Sequence, residues 1–216
     1  MRKVYRWSDT LAYTVGLLAS DGNLSSDGRH INLTSKDVEQ LENFKKCLSL
    51  ETKIGVKGGG FSSGEYYYIQ FSDVALYDFL IRIGLTPKKS LTLGSLKIPK
   101  RYFFSFLRGS LDGDGCCYAY FDKRWKSSYM IYLQFSSASK EHLIWINGMI
   151  ENLLDLKGRI KEGNRALNLT FAKKSSIMLI KSMYKNKNCI ALSRKREKIL
   201  KFMKQAGVLE LVDRHD

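Results

Sequence analysis

The chain has 216 residues, of which 44% are apolar and 26% are charged. These fractions are typical of a globular protein and exclude a disordered or fibrous chain. The 36 Lys and Arg residues exceed the 21 Asp and Glu residues, and the resulting formal net charge of +15 indicates an anionic partner, either nucleic acid or an acidic membrane surface.

The first half of the chain predicts the element order α-β-β-α-β-β-α. A helix begins after a capping Ser8, and Gly22 is expected to end it. An alternating strand around Ile31 and Leu33 leads through a serine-containing cap into an amphipathic helix. Two more strands, within residues 52–58 and 65–73, precede a final helix.

The second half repeats this order. A helix is predicted from Pro99 to Gly115, and an alternating strand around Leu133 leads into an amphipathic helix. Two further strands and a last helix complete the repeat. Because proline interrupts regular structure, Pro87 and Pro99 mark a connector between the halves. The predicted fold class is α+β, with an N-terminal repeat (1–86), a linker (87–98), a C-terminal repeat (99–203) and a tail (204–216).

Each half places an Asp-Gly pair at the end of its first helix. Each of these helices also carries two small residues four positions apart, Gly16 and Ser20 in the first and Gly109 and Gly113 in the second. Such spacing lets two helices pack with their backbones close, which would bring Asp21 and Asp114 together. Adjacent carboxylates repel each other, and Mg²⁺ is a suitable counter-ion that also assists phosphodiester hydrolysis. Taken singly, each pair is also typical of an ordinary helix end.

Several segments resemble the LAGLIDADG homing endonucleases. TVGLLASDG (14–22) and LRGSLDGDG (107–115) are similar to the two copies of the motif that names this family. GLTPKKSLTL (84–93) resembles the region between the repeats of its single-chain members, and NKNCIALSRKREKI (186–199) resembles the segment that closes the second repeat. The resemblance covers nearly the whole chain. The first motif has Ala19 where the earlier acidic residue of the motif stands, a position that varies in the family.

The resemblance implies two pseudo-symmetric αββαββα repeats whose motif helices pack at the central interface and whose saddle-shaped antiparallel sheets face DNA. It implies double-strand cleavage of a long DNA site that leaves short 3′ overhangs, with Asp21 and Asp114 as catalytic residues and metal ligands. Mg²⁺ is the expected cofactor. Mn²⁺ is expected to substitute for it, and Ca²⁺ to bind without supporting efficient cleavage. The family places basic or amide residues near this centre, and Lys36, Lys89 and Lys195 match those places, although each is also typical of a phosphate contact or a solvated surface lysine.

The alternation of the strands separates side chains that face the core from those expected to face DNA. The outward set carries amide, hydroxyl and basic groups, which read base edges and contact phosphates. The predicted DNA-binding residues are Asn23, Ser25, Arg29, His30, Asn32, Lys57, Tyr66, Tyr68, Gln70, Tyr118, Tyr120, Lys123, Arg124, Tyr132, Gln134, Arg159, Lys161, Asn168 and Thr170.

Three functions stay open on the sequence alone. The first is a monomeric homing endonuclease acting on double-stranded DNA, and the second is a DNA-binding module or intron RNA maturase without cleavage activity on the same scaffold. A basic RNA-binding protein is the third, although no known RNA-binding motif is present. Four cysteines without zinc-like spacing and the lack of an apolar leader or spanning segment predict an intracellular protein, in the cytoplasm, nucleoid or an organelle matrix, that does not bind membranes.

Overall fold

The computed structural model describes residues 3–58, 65–123 and 128–207. The first half contains, in order, α1 (Asp9–Ser20), β1 (Gly22–Leu24), β2 (His30–Ser35), α2 (Val38–Leu48), β3 (Gly55–Lys57), β4 (Tyr66–Ser72) and α3 (Val74–Ile83). This is the predicted αββαββα order. Ser8 caps α1 as expected, because its side chain accepts a hydrogen bond from the Leu11 amide.

The second half repeats the order and adds one helix. After a 3₁₀ turn (Lys100–Tyr102) it contains α4 (Phe103–Asp112), β5 (Cys116–Phe121), β6 (Tyr129–Ser137), α5 (Lys140–Leu154), β7 (Arg159–Glu162), β8 (Leu167–Phe171), α6 (Lys173–Met183) and α7 (Ser193–Gln205). Helix α7 continues through residues 204 and 205, which the sequence assigned to a tail. Residues 208–216 of that tail lie outside the described residues. No helix of the described ranges is long and apolar enough to cross a membrane.

The two halves build two equivalent antiparallel sheets. The strand order is β1-β2-β4-β3 in the first and β5-β6-β8-β7 in the second. Directly paired residues share one face of a sheet, so Leu33 and Ile69 face the core together while Asn32 and Gln70 lie together on the other face. The α+β fold class predicted from the sequence is confirmed.

Helices α1 and α4 pack against each other at glycines. A Cβ added at Gly16 would lie 2.2 Å from the carbonyl oxygen of Phe106, and one added at Gly109 would lie 2.1 Å from that of Tyr13. A non-glycine side chain has no room there, so the crossing depends on both glycines. Close packing of the two motif helices is therefore as the small-residue spacing predicts.

The ends of the motif helices differ in detail from the prediction. Helix α1 ends at Ser20, before Gly22, and α4 ends at Asp112, before Gly115. Neither Gly22 nor Gly115 has a positive φ. Both are packed against the helix they follow: an added Cβ at either would lie 2.6 Å from the Cα of Leu18 or Leu111. The predicted start at Pro99 was early, because Pro99 is extended and a 3₁₀ turn precedes α4.

Helix α7 belongs to the second half in sequence but docks on α2 of the first half. Arg194 donates two hydrogen bonds to Asp37, at 2.8 and 2.6 Å. The amide of Ser193 donates to Glu39 at 3.0 Å. These contacts join residues more than 150 positions apart, and they hold the start of α7 beside the motif helices.

Candidate active site and sheet faces

Asp21 and Asp114 lie where the two motif helices end. Asp21 is the C-terminal cap of α1, and Asp114 lies in the turn that follows α4. The backbone of Gly113 is pressed against the end of α1, because an added Cβ would lie 1.9 Å from Ser20 Oγ and 3.0 Å from Asp21 Oδ2. The helix crossing thus places the two predicted metal ligands near each other where α1 and α4 end.

The surroundings of this pair raise the pKa of both carboxyl groups. Loss of hydrating water is the largest cause for each. The negative charge of Asp114 adds to it at Asp21, and the pKa of Asp21 reaches about 6. Nearby Lys89 and Lys195 act in the opposite direction on both groups. A carboxylate pair whose charges are incompletely balanced is a favourable place for a cation.

The donor chemistry of this place fits a divalent cation of the Mg²⁺ type. Two carboxylates supply hard oxygen ligands, and among the described residues no cluster of three or more His, Cys, Asp or Glu side chains surrounds a common point. Mg²⁺ suits such a sparse site, since it keeps several waters and binds through one or two carboxylates and substrate phosphates. Asp21 and Asp114 would hold it.

Gln40 is a site residue that sequence reasoning missed. Its Nε2 donates to Asp21 Oδ2 at 2.9 Å, and its Oε1 accepts from Ser35 Oγ at 3.1 Å. Gln40 is buried on the same side of α2 as Leu41 and Phe44. An uncharged polar residue among the buried positions of a helix was the one available signal.

Lys195 and Lys89 lie beside the ends of the two motif helices. Lys195 Nζ lies 2.7–2.8 Å from the carbonyl oxygens of Leu111, Asp112, Gly113 and Gly115. Lys89 Nζ donates to the carbonyl of Ser20 at 3.2 Å. Positive charge is favourable at a helix C-terminus, where carbonyl groups lack partners. Lys195 therefore holds in place the turn that carries Asp114.

Lys36, the third predicted catalytic lysine, has a different neighbour. Its Nζ lies 5.0 Å from the centroid of the Tyr66 ring on the first sheet, in cation–π geometry. The polar contact to Asp21 comes instead from Gln40, four residues further along the chain. The structure thus associates Lys89 and Lys195 with the carboxylates and associates Lys36 with the face of the sheet.

The second motif has an additional acidic residue that faces away from the pair. Asp112 is 1% exposed, and its Oδ2 accepts from the hydroxyl of Tyr13 at 2.7 Å and from the amide of Leu192 at 2.8 Å. Burial raises the pKa of Asp112 to about 6. Asp112 connects α1, α4 and the segment before α7, which is a structural role. Ala19 occupies the equivalent position of the first motif and cannot make these bonds.

A cleft of about 260 Å³ opens beside Asp114. Its lining includes Ser20 and Lys89 near the carboxylates and Ser136 and Ser137 at the end of β6. The serine hydroxyl groups and the Lys89 ammonium group can donate hydrogen bonds to phosphate oxygens. The cleft is therefore suited to contact a phosphodiester next to Asp114.

The first sheet carries most of its predicted DNA-binding residues on one face. Asn23, Asn32 and Gln70 are paired across β1, β2 and β4, and Tyr66 is paired with Lys57. On the same face lie Tyr68 and His30, while Ser25 and Arg29 lie in the loop between β1 and β2. The ring of His30 contacts Asp27 in this loop, a partner that the strand alternation does not predict.

The second sheet also collects its predicted residues on one face. Tyr118 pairs with Tyr132, and Gln134 pairs with Thr170, which pairs with Arg159. Asn168 pairs with Lys161, and Tyr120 lies two positions from Tyr118. Lys123 is exposed at the end of the β5 hairpin arm, and Arg124 lies outside the described residues.

No protein-family model and no curated protein sequence matches the chain. Solved structures do match it. Full-length DUF199/WhiA from Thermatoga maritima superposes with a TM-score of 0.57 at 18% identity over 94% of this chain, which spans only 63% of that protein. The N-terminal LAGLIDADG domain of DUF199/WhiA matches over its whole length and over 92% of this chain, with a TM-score of 0.55 at 15% identity.

Homing endonucleases match equally well. I-DmoI in complex with DNA and Mn has a TM-score of 0.53 at 18% identity, over 82% of this chain and 97% of that one. The LAGLIDADG meganuclease I-AabMI bound to uncleaved DNA has a TM-score of 0.57 at 15% identity, over 94% and 92%. These matches cover 82–94% of the chain, which contains two four-stranded sheets and the crossed helices α1 and α4. The chain therefore has the fold of the LAGLIDADG homing endonucleases.

Proposed function

We propose that the protein is a site-specific endonuclease that makes double-strand breaks in a long DNA target by divalent-metal-dependent phosphodiester hydrolysis. The observation that carries this proposal is the meeting of Asp21 and Asp114 at the ends of the crossed helices, where Gly113 of one motif packs against Asp21 of the other. One chain contains both carboxylates, so a monomer suffices. Mg²⁺ is the proposed cofactor, with Mn²⁺ as a substitute and Ca²⁺ as a ligand that does not support efficient cleavage.

The side chains around the pair have separate tasks. Asp21 and Asp114 hold the metal, and a bound divalent cation supplies Lewis-acid stabilisation of charge that develops on the phosphate. Gln40 orients the carboxylate of Asp21 through its 2.9 Å hydrogen bond. Lys89, which lines the cleft beside Asp114, provides positive charge near the phosphate. Lys195 fixes the turn that carries Asp114.

The two sheets provide the DNA-binding surface in this proposal. A major groove admits a two-stranded β-ribbon, and amide, hydroxyl and basic groups are the ones that read base edges and neutralise phosphates. The exposed faces carry such groups on both sheets, Asn32 and Gln70 on the first and Gln134 and Arg159 on the second. The net charge of +15 supplies the attraction to DNA.

Replacing Gln40 by leucine is expected to raise the Mg²⁺ concentration needed for half-maximal cleavage by about 10-fold or more at pH 6.5. The pKa of Asp21 is about 6, and the hydrogen bond from Gln40 lowers it, so loss of this bond should raise that pKa. At pH 6.5 more of the Asp21 carboxyl groups would then carry a proton, and this proton would compete with Mg²⁺ for the carboxylate. The effect should shrink at pH 8.5, where Asp21 is ionised in both proteins. Mg²⁺ titrations of cleavage at the two pH values measure this.

The matched control for Gln40→Leu is Glu42→Gln on the same helix, since Glu42 is exposed and contacts Lys45. It should behave as the wild type at both pH values. An equal loss of cleavage by Gln40→Leu at pH 6.5 and 8.5, whatever the Mg²⁺ concentration, would contradict a positioning role through Asp21.

Replacing Lys195 by methionine is expected to lower both stability and cleavage. The Lys195 ammonium group donates hydrogen bonds to carbonyl oxygens at the end of α4 and in the turn that follows it. Because methionine cannot donate these bonds, the free energy of unfolding should fall by about 1–3 kcal/mol. Chemical denaturation measures that cost. Lys198→Met is the control, because the Lys198 ammonium lies in cation–π geometry 5.7 Å from the Phe202 ring centroid. Lost cleavage with unchanged stability would show that Lys195 acts in the chemistry and not through the turn.

DNA binding without cleavage is the second candidate function, and intron RNA binding as a maturase belongs with it. The match to DUF199/WhiA favours it, because a LAGLIDADG domain there forms part of a longer protein that is not named as an endonuclease. Competition between duplex DNA and structured RNA separates a DNA-binding protein from a maturase. Tight duplex binding with no Mg²⁺-dependent cutting would favour the non-cleaving module.

A further inference from the structure

A stack of three tyrosine rings stands on the exposed face of the second sheet. The ring of Tyr132 lies between those of Tyr118 and Tyr120, with centroid distances of 5.2 and 5.5 Å and interplanar angles of 12° and 15°. The hydroxyl of Tyr120 donates to that of Tyr132 at 3.2 Å. The rings are therefore held in place before any partner arrives, which lowers the entropy lost on binding.

This tyrosine stack lines one side of a groove of about 600 Å³. Arg159 and Lys161 of the edge strand β7 lie on the other side of the groove. Between the two sides lie the amide and hydroxyl groups of Gln134, Asn168 and Thr170. A DNA strand whose phosphates contact the basic side would therefore present its base edges to the amides and to the tyrosine stack.

The two outer rings of the stack are exposed on this face of the sheet. Tyr118 is 37% exposed and Tyr120 is 48% exposed, and the Tyr120 hydroxyl donates its proton to Tyr132, so it is not free to donate to a base. Thymine is the one DNA base that presents a methyl group in the major groove, and apolar side chains recognise it by contact. We infer that the Tyr118–Tyr132–Tyr120 stack reads thymine C5 methyl groups in the half-site bound by the second sheet, an inference that rests on the proposed DNA recognition.

The tyrosines of the first sheet are arranged differently. The ring of Tyr66 lies under the Lys36 ammonium group at 5.0 Å, and the ring of Tyr68 lies against the backbone of Gly55. Among the described residues of this sheet, no two tyrosine rings stack on each other, and Asn32 and Gln70 dominate its centre. Because the described residues form such a ring stack on the second sheet and not on the first, methyl recognition is a property of one half-site.

The strand geometry also predicts the spacing of the methyl groups. Tyr118 and Tyr120 are two residues apart on β5 and therefore about 6.8 Å apart along the strand. That distance corresponds to about two base-pair steps of B-DNA. Methyl-dependent positions should accordingly lie about two base pairs apart.

Deoxyuridine substitution tests the inference with the full chain. The preferred site is selected from randomised duplex DNA in Ca²⁺, and each of its thymines is then replaced by deoxyuridine, which lacks only the methyl group. Fluorescence anisotropy should show binding weakened about fourfold per methyl at two positions of one half-site. Uniform affinity for all deoxyuridine duplexes would overturn the inference.

Variants of the stack assign the effect to its side chains. Tyr118→Ser with Tyr120→Ser should abolish the methyl dependence, Tyr118→Phe with Tyr120→Phe should keep it, and Tyr66→Ser on the first sheet should leave it unchanged. If the double serine variant has the melting temperature of the wild type and its binding still depends on the methyl groups, the inference is overturned. Failure to select any preferred duplex would overturn the proposed function itself, whereas a selected site that ignores methyl groups overturns only the role of the stack.

Discussion

Replacing Asp21 or Asp114 by asparagine is expected to abolish double-strand cleavage and to leave DNA binding within about twofold of the wild type. Each carboxylate is a proposed metal ligand, and its amide isostere keeps the shape but loses the charge that holds a divalent cation. Loss of residues that merely support a metal ligand costs 10–100-fold, so loss of a ligand should cost at least about 100-fold. Cleavage of the selected site with Mg²⁺ and binding in Ca²⁺ measure the two effects separately.

The control for these substitutions is Asp155→Asn. Asp155 ends α5 with φ at 54°, a left-handed conformation that asparagine adopts readily. This variant should bind and cut as the wild type does. Undiminished cutting by either Asp21→Asn or Asp114→Asn would remove that carboxylate from the active site.

Replacing Gly109 by alanine is expected to destabilise the protein by about 3 kcal/mol or more. The added Cβ would lie 2.1 Å from the carbonyl oxygen of Tyr13, a backbone atom that can move only if α1 and α4 separate. For a chain of this length such a loss lowers the melting temperature by about 6–12 °C. Thermal unfolding followed by circular dichroism measures it.

Gly148→Ala is the matched control for that substitution. Gly148 lies in the interior of α5, and an added Cβ would contact nothing within 4 Å. Alanine there should stabilise the helix by about 0.8–1 kcal/mol, so the two variants should shift the melting temperature in opposite directions. A Gly109→Ala variant as stable as the wild type would contradict the close crossing of the motif helices. Separation of the helices would also move Asp21 away from Asp114, so Gly109→Ala is expected to reduce cleavage as well.

Local patterns in the sequence predicted the repeated order of helices and strands, and the family resemblance implied how these elements assemble. The alternation in β2 and β6 placed the strands, and the small residues on α1 and α4 predicted the helix crossing. The duplication helped, because each half supports the interpretation of the other. Gly22 and Gly115 were predicted to end helices, but their function is to let the following strand pass close to the helix.

Contacts between distant parts of the chain could not be predicted. Gln40 lies at a position whose helical spacing indicates burial, and only the folded chain brings its amide to Asp21. Lys195 was selected through the family resemblance, yet its contacts with the turn after α4 depend on how α7 docks. That docking relies on Asp37 and Glu39, which a sequence pattern cannot connect to residues more than 150 positions away.

Cleavage of a randomised duplex-DNA library, with sequencing of the cut ends, tests the central claim most directly. The full chain is incubated with Mg²⁺, with Ca²⁺ and with EDTA in parallel. We expect a single long site cut on both strands with short 3′ overhangs in Mg²⁺, and no cutting in EDTA. Cutting that persists in EDTA, or a tightly bound site that stays intact in Mg²⁺, would contradict a metal-dependent endonuclease built on Asp21 and Asp114.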